Sequence, residues 1–276
     1  MIMERFVKSI TLLVALFYAA PLFAQFDFAA SNAVGAGLGG ATTALEDAGS
    51  AMENVAGLSS QEGQWVMLSM RQQPGVTGMN QAALSLLSSL PFGGAGVEAV
   101  YYGDADYHEE RLSAAYALPV GEQVAMGIAF HYLHSGTSDP YYEPLSRFTF
   151  SAALRYKPTR RLTIGFKAYN PIAVVSESDR AVRIPALFNL GVGYRLLDEM
   201  LAVVEVEKNS YRAASLRVGL QYCFFDDYFA RVGLATAPIV YTFGLGMQKL
   251  HLGGDVAVQI HNVLGLIPQL SLRYHF

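Results

Sequence analysis

Two-residue alternation between apolar and polar side chains recurs from about Gln64 to the last residue of the chain. It is clearest in the stretches RFTFSAALRY at 147–156, LTIGFKAY at 162–169, SLRVGLQY at 215–222 and LGGDVAVQI at 252–260. A period of two predicts β-strands with one apolar face and one polar or small face. A soluble sandwich has the same period, so the alternation by itself leaves both architectures open.

Segment length and connection length favour a membrane barrel. The strand candidates are about ten residues long, which is the length that a tilted strand needs to cross a bilayer. We place about fourteen of them, an even number as bacterial barrels require, at 64–71, 80–90, 95–103, 110–118, 123–134, 146–157, 161–169, 184–196, 199–208, 212–223, 228–235, 239–247, 249–261 and 265–276. The short turns PFGG, PVGE, KPTRR, LLDE, FFDDY and QKL fall at one end, and the two longest loops, 134–146 and 170–184, fall at the other. This asymmetry is typical of outer-membrane barrels, whose periplasmic turns are short.

The first 24 residues have the features of a signal peptide. Arg5 and Lys8 form a basic start, an apolar run follows over residues 10–23, and Ala24 supplies a small residue at the end. We therefore predict export, with residues 1–24 removed from the mature chain.

The composition limits how an exported chain can bury its apolar residues. Of the 276 residues, 52% are hydrophobic and 15% charged, which excludes a disordered protein. After Ala24, no run of about 18 apolar residues is free of Pro, paired Gly or charge, so no helical membrane span is expected. Cys223 is the only cysteine, so no intrachain disulfide is expected. The mildly acidic net charge of −4 makes nucleic acid a poor partner.

Aromatic residues gather at the predicted strand ends, where amphipathic rings would meet the membrane interfaces. The turn-end rim is predicted to carry Tyr116, Tyr156, Tyr194, Tyr222, Phe224, Phe225 and Tyr274, and the opposite rim Tyr101, Tyr132, Tyr169 and Tyr241. The last strand, LSLRYHF, ends with Tyr274 and Phe276, which resemble the signal that delivers barrels to their assembly machinery. We therefore expect the chain to bind the barrel assembly machinery and to sit in the outer membrane among its lipids.

Strand parity places most of the charged strand residues in the barrel lumen. The basic ones are Arg111, Arg147, Arg155, Lys167, Arg195, Arg217, Arg231 and Arg273, and the acidic ones are Glu98, Glu205, Glu207 and Asp255. One interpretation is a network in which buried charges are paired. The other is a basic lumen that attracts an anionic headgroup such as a carboxylate.

Glycines recur on the same inward parity. They are Gly127, Gly165, Gly191, Gly193, Gly219, Gly233, Gly244, Gly246 and Gly253. Glycine in a strand makes room for something that approaches the wall closely. The only segment free to occupy that room is 25–63, which we predict to be a lumenal plug.

The stretch GAGLGG at 35–40 has the G-x-G-x-x-G spacing of a dinucleotide-binding loop. That fingerprint requires a preceding strand and a βαβ unit. Only residues 25–32 precede it in the predicted mature chain, and no parallel crossover follows. We therefore expect no nucleotide and no other cofactor, and we interpret the glycines as positions where the plug backbone packs closely.

The N-terminal stretch AVGAGLGGATTALEDAGSAMENVAGLSS resembles the start of FadL-like barrels, especially the PorV/PorQ branch common in Bacteroidetes. That family has a Gly-Gly-Ala run, a short helix with an ALxDAxxAxxN pattern and an NPAGL turn. The matching positions include Gly39, Gly40, Asp47, Asn54 and Gly57, whereas Val55 stands where the family usually has Pro. The closing strands, with an H-x-x-LG turn at 261–265, are similar too.

The resemblance implies an all-β fold, a transmembrane antiparallel β-barrel of fourteen strands over 64–276 with an N-terminal lumenal plug that contains a short helix. Some members of the family are long-chain fatty-acid or hydrocarbon channels, and others are outer-membrane parts of the type IX secretion system. Two functions are therefore implied. One is transport of a hydrophobic or amphipathic small molecule. The other is a secretion accessory barrel that binds secretion-system proteins and moves no solute.

Other chemical motifs are weak. The acidic loop GDADYHEE suggests calcium, but it lacks the Gly at loop position six and has Ala115 at position twelve in place of a carboxylate. His131 and His134 are three residues apart on a strand and face opposite ways, so we expect no shared metal. No G-x-S-x-G motif occurs, and we do not expect an enzyme.

Overall fold

Fourteen antiparallel strands close into a barrel, which confirms the predicted fold class. The computed structural model describes residues 32–73, 78–141, 143–174 and 184–276; the predicted signal peptide lies outside these residues. The strands are β1 Gln64–Gln72, β2 Asn80–Leu90, β3 Gly93–Gly103, β4 Tyr107–Val120, β5 Val124–Thr137, β6 Leu145–Thr159, β7 Leu162–Tyr169, β8 Leu187–Leu197, β9 Met200–Asn209, β10 Ser215–Phe224, β11 Tyr228–Thr236, β12 Ile239–Lys249, β13 Leu252–His261 and β14 Gly265–His275. Each strand pairs with its neighbours in sequence, and β14 pairs with β1.

Pairing between β1 and β14 closes the sheet. The register runs from Trp65 opposite His275 to Arg71 opposite Gln269. Closure gives partners to the edge N–H and C=O groups that an open sheet would leave unpaired. Beyond β14, the amide of Phe276 donates to the carbonyl of Gln64 at 3.0 Å.

The two ends of the barrel differ in connection length. At the end where β1 begins, called the turn end, every connection between strands is two or three residues long. The opposite, loop end carries every longer connection, including 138–144 and 170–186, and a 3₁₀ helix at Pro171–Val174 lies in the second of these. This agrees with the predicted asymmetry.

The barrel wall has an apolar outer face and a mainly polar or small inner face. Along β13, for example, Val256 and Val258 face outward while Asp255 and Ala257 are buried. Tyr169 lies at the loop end of β7, as predicted, but its ring does not face outward to a membrane interface as expected. Tyr169 shares the inward parity of β7, is buried, and packs its ring 5.2 Å from that of His131.

Residues 32–63, called the lumenal segment, lie inside the barrel. The segment contains one short α-helix, α1 Ala33–Gly37, and 3₁₀ helices at Ala48–Ser50 and Val55–Ser60. Within the described residues, no helix combines the length and apolar character that crossing a membrane requires.

The short helix does not lie over ALEDAGSAM, as the family pattern implied, but over AVGAG in the glycine motif itself. Asn32 begins α1, because its side chain accepts a hydrogen bond from the amide of Gly35 at 2.8 Å. In ALEDAGSAM the Asp47 carboxylate accepts from the amide of Ser50 at 3.2 Å and closes a tight 3₁₀ turn. Just upstream, the amide of Thr43 donates to a wall carboxylate at 2.8 Å.

Candidate functional site

Glycines on the inner wall let the lumenal segment approach the strands. A Cβ atom at Gly127 would lie 2.7 Å from the Ala56 nitrogen, and one at Gly219 would lie 2.8 Å from the Leu38 oxygen. Seven of the nine predicted inward glycines face the segment in this way, namely Gly127, Gly165, Gly191, Gly193, Gly219, Gly233 and Gly244. Gly246 and Gly253 instead face side chains of the wall. Gly94 and Gly96 were not among the predicted glycines, although they share the parity of Glu98, and both face Leu58.

Gly39 and Gly40 end α1 and bring the chain against β11. Their φ angles are +70° and +82°, a left-handed conformation that favours glycine. The amide of Gly40 donates to the carbonyl of Gly35 at 2.9 Å, which closes the helix end. A Cβ at Gly39 would lie 2.9 Å from the backbone nitrogen of Leu234, so both conformation and space require glycine there.

The remaining residues of the plug motif organise the second part of the segment. The buried Asn54 side chain donates to the carbonyl of Thr43 and accepts from the amide of Ala56 at 3.2 Å. The amide of Gly57 donates to the carbonyl of Asn54 at 2.8 Å. Asp47 caps its 3₁₀ turn and lies 4.0 Å from Arg273 on the wall.

Glu205 binds the backbone of the lumenal segment. Its side chain is only 1% exposed, and its Oε2 accepts from the amides of Thr42 and Thr43 at 2.9 and 2.8 Å. Its Oε1 accepts from Asn189 at 2.6 Å and lies 3.5 Å from Nη1 of Arg217. Strands β8, β9 and β10 are thereby tied to one turn of the segment through a single carboxylate.

Arg217 completes this cluster. Its Nη1 donates to the carbonyl of Gly40 at 3.1 Å, and its Nη2 lies 2.6 Å from Glu207. A buried carboxylate that is paired with a guanidinium and also accepts amide hydrogen bonds has its desolvation largely offset.

A second cluster surrounds Asp255 on β13. Its carboxylate lies 2.7 Å from Arg231 and 3.0 Å from Arg273, and all three side chains are buried. Gln221 accepts from Arg231 at 2.7 Å, and Gln248 accepts from Arg273 at 3.0 Å. These contacts favour the interpretation of paired lumenal charges.

The other predicted lumenal charges are more dispersed. Arg111 pairs with Glu98 at 2.9 Å, and Arg155 donates to Ser60 in the segment at 2.8 Å. Toward the loop end, Arg147 donates to the carbonyl of Ser146 at 3.1 Å. The remaining two predicted cations, Lys167 and Arg195, reach glutamates of the segment: Glu53 at 3.7 Å and Glu46 at 4.0 Å.

Strand parity missed the residues through which the segment itself binds the wall. Glu46 lies 2.7 Å from Lys157 and accepts from Thr163 at 2.7 Å. On the opposite side, Thr242 accepts from the amide of Gly39 at 3.0 Å and donates to the carbonyl of Gly37 at 2.9 Å. Thr163 and Thr242 could have been found from the sequence, because they share the inward parity of their strands. Glu46 could not, because the segment has no periodic pattern that indicates which of its side chains contact the wall.

Glu46 is held in its charged form. Burial alone would raise the pKa of Glu46, but hydrogen bonds from Lys157 and Thr163 and the charges of Lys157 and Arg155 together hold it below the ordinary value of 4.5. Glu46 is therefore an ionised counter-ion near neutral pH.

The two histidines of β5 face opposite ways. His131 is buried in the lumen between the hydroxyls of Ser113 and Ser151, at 2.8 and 3.0 Å. His134 instead bonds to Ser146 at 3.0 Å. In the part of the chain that the structure describes, no group of three or more His, Cys, Asp or Glu side chains is placed to hold a metal ion.

A closed fourteen-stranded antiparallel barrel with a short helix near its N-terminus is the architecture of the FadL-like barrels. Among solved structures, the chain is similar to a Pseudomonas aeruginosa FadL homologue, with a TM-score of 0.68 and 13% identity over 89% of this chain and 98% of that one. It is also similar to the TodX deltaS2S3 mutant monoaromatic hydrocarbon channel, with a TM-score of 0.71 and 11% identity over 91% and 100%.

The Ralstonia pickettii toluene transporter TbuX has the same fold, with a TM-score of 0.67 and 12% identity over 91% of this chain and 100% of that one. Identities this low show a shared fold. No protein-family model matches the sequence, and no curated protein matches it.

Proposed function

We propose that the chain is an outer-membrane barrel that passes a hydrophobic or amphipathic small molecule, with the lumenal segment as its gate. The observation that carries the proposal is that a discrete stretch of chain, rather than wall side chains alone, fills the lumen. Its contacts with the wall are hydrogen bonds, ion pairs and apolar packing, for example Thr43 to Glu205 and Gly39 to Thr242. Such contacts can break and reform without covalent change.

Three further observations support this function. The outer wall exposes a band of apolar side chains, as a lipid-facing surface does. Residues 1–24 have the pattern of an export signal. The solved structures with this fold are described as a monoaromatic hydrocarbon channel and a toluene transporter, and not as enzymes. Lipid and the barrel assembly machinery are the expected partners, the latter through Tyr274 and Phe276.

A disulfide that locks the segment to the wall tests the gate. The amide of Ala33 donates to Ser271 Oγ at 2.8 Å, so the segment backbone lies beside β14 at this point, and we choose these two positions for the bridge. In a Cys223→Ser background, Ala33→Cys with Ser271→Cys should stop uptake of radiolabelled toluene by cells that carry the barrel, and a reductant should restore it. Each single cysteine variant is the control. Equal uptake in the oxidised and reduced states would contradict a gate that opens by releasing Ala33 from the wall.

Deletion of residues 31–58 gives an independent measurement. If the segment obstructs the lumen, its removal should raise single-channel conductance in planar bilayers. Unchanged conductance would contradict a plug role for the segment.

A second candidate function is a secretion accessory barrel of the PorV/PorQ kind. The N-terminal motif resembles that branch, and the loop end exposes apolar side chains that a protein partner would cover, including Tyr141 at 92% and Val263 at 81%. Mass spectrometry of lipids and proteins that copurify from native membranes separates the two functions. Bound hydrophobic molecules without a protein partner would contradict the secretion role, and secretion proteins with an empty lumen would contradict transport.

A further inference from the structure

Two adjoining cavities open beside the lumenal segment toward the turn end. Their volumes are about 320 and 690 Å³, and both are lined by Glu46, Arg160 and Arg195. We refer to them together as the turn-end vestibule. Seven basic and three acidic side chains line it, so its lining carries a clear excess of positive charge.

The excess positive charge lies on the side of the vestibule that is lined by Lys157, Arg160, Arg161 and Arg195, which we call its front. The opposite side, lined by Arg231 and Arg273, is called its back. At the back, Arg231 and Arg273 are paired with Asp255. At the front, among the residues that the structure describes, the guanidinium groups of Arg160 and Arg161 form no ion pair with a carboxylate.

Glu46 is the acid that contacts the front cations. It lies 2.7 Å from Lys157 and 4.0 Å from Arg195, and it also accepts a hydrogen bond from Thr163. One carboxylate supplies one negative charge to a region that also contains Arg160 and Arg161. The geometry is that of an anion site in which the Glu46 carboxylate already occupies some of the hydrogen-bond donors.

We propose that the turn-end vestibule binds a phosphate group, for which Glu46 is the internal competitor. A phosphate monoester carries close to two negative charges and three acceptor oxygens, so it matches several converging Lys and Arg side chains better than one carboxylate does. Leu45, Leu201 and Phe229 also line the smaller cavity and provide an apolar surface for an organic group attached to the phosphate. The site does not depend on solute transport through the barrel.

Binding at this site would act on the lumenal segment. Glu46 belongs to the segment, while Lys157 and Arg195 belong to β6 and β8. A phosphate that takes these cations therefore removes one of the contacts that join the segment to the wall. We expect faster amide hydrogen exchange over residues 44–48 when phosphate is bound.

Isothermal titration calorimetry with inorganic phosphate, at low ionic strength and with the full barrel in detergent, tests the proposal. Glu46→Gln should bind phosphate about tenfold more tightly than the wild type, because the competing charge is gone while the donors remain. The double variant Arg160→Gln with Arg195→Gln should bind at least about tenfold more weakly. The control, Arg212→Gln, removes a positive charge in the loop-end connection 210–214, away from the vestibule, and should leave the affinity unchanged.

Either of two results would overturn the proposal: no binding by Glu46→Gln, or equal affinity in the double variant and the wild type. Circular dichroism spectra identical to the wild type establish that the variants are folded. Repeating the titration in nanodiscs with and without phosphatidic acid, a lipid whose headgroup is a phosphate monoester, identifies the source of the phosphate. Loss of the free-phosphate signal only with that lipid indicates a lipid headgroup, and an undiminished signal indicates a free phosphate compound. Toluene uptake measured on the same variants keeps this result separate from the transport proposal.

Discussion

The two halves of the lumenal segment are held by different physical means. From Ala33 to Thr43, the backbone N–H and C=O groups of the segment form hydrogen bonds with side chains of the wall. The wall side chains that bond directly to this backbone are Ser271, Thr242, Arg217 and Glu205. Glycines of the wall bring the two backbones close enough for this.

From Ala44 to Leu58, the segment is held mainly through its side chains. Ala48, Ala51, Val55 and Leu58 form one apolar cluster with wall residues Met67, Leu87, Ala115, Ala117, Ala125, Ala129 and Ala153. Glu46 and Glu53 add ion pairs with Lys157 and Lys167.

The two kinds of contact differ in how much displacement of the segment they tolerate before they are lost. Backbone hydrogen bonds to buried groups are directional, and breaking one leaves an unsatisfied donor or acceptor. Apolar contacts between small side chains are not directional and change more gradually with position. We therefore expect the second half to move first when the segment leaves the wall.

The largest effect is expected at Glu205. Glu205→Leu removes the acceptor of the Thr42 and Thr43 amides and leaves Arg217 without one of its partners, so the free energy of unfolding should fall by about 3–5 kcal/mol. Thermal unfolding of the barrel in detergent, followed by circular dichroism, measures it. Glu207→Leu is the control, since Glu207 is more exposed and binds side chains only. Equal losses in both variants would show that backbone binding is not the cause.

A smaller loss is expected from the apolar half. Leu58 is almost completely buried, and Leu58→Ala should cost about 2–4 kcal/mol through lost burial and a new cavity. The same unfolding assay applies. Leu68→Ala, on the outward face of β1, should cost clearly less, and a similar cost for the two would contradict tight packing around Leu58.

Gly233 tests the close approach of the first half. A Cβ at Gly233 would collide with the backbone at Gly39, so Gly233→Ala should destabilise the barrel by about 1–3 kcal/mol. At Gly254 the nearest atom would be 3.6 Å away, and Gly254→Ala should be nearly neutral. Deleting residues 31–58 should abolish the difference between the two variants. If the difference persists after deletion, the segment is not the cause.

The smallest effect concerns Glu46 and pH. The pKa of Glu46 is lowered in the folded chain, so its contribution to stability is complete above the ordinary value of 4.5 and is lost as the pH falls through the lowered pKa. The wild type should lose up to about 1 kcal/mol over that interval relative to Glu46→Gln. Parallel unfolding curves from neutral to acidic pH measure this difference, and a constant gap between the two proteins would exclude the ionised contact with Lys157.

Much of the wall was predictable from the sequence, because successive side chains of a strand point to opposite faces and the two faces differ in polarity. The number of strands, the inward direction of Glu205 and Asp255, and the recurrence of inward glycines all follow from that period. The direction of the Tyr169 ring was predicted wrongly, because its position near a strand end was given more weight than the parity that it shares with Lys167.

The lumenal segment was much less predictable. Its helical pattern pointed to ALEDAGSAM, but the chain forms α1 over the glycines, where Asn32 caps the helix, and ALEDAGSAM contains only a 3₁₀ turn. The roles of Glu46 and Glu53 were missed because no period relates them to the wall.

The sequence by itself determined a closed wall of alternating strands, since neighbouring residues and short turns carry that information. Only the tertiary structure decided which wall atoms meet the segment. Thr42 and Glu205 are 163 positions apart, and their hydrogen bond exists only because closing the barrel brings them within 2.9 Å. Local periodicity encodes the direction of a side chain, whereas the identity of its partner depends on the closed geometry of the whole sheet.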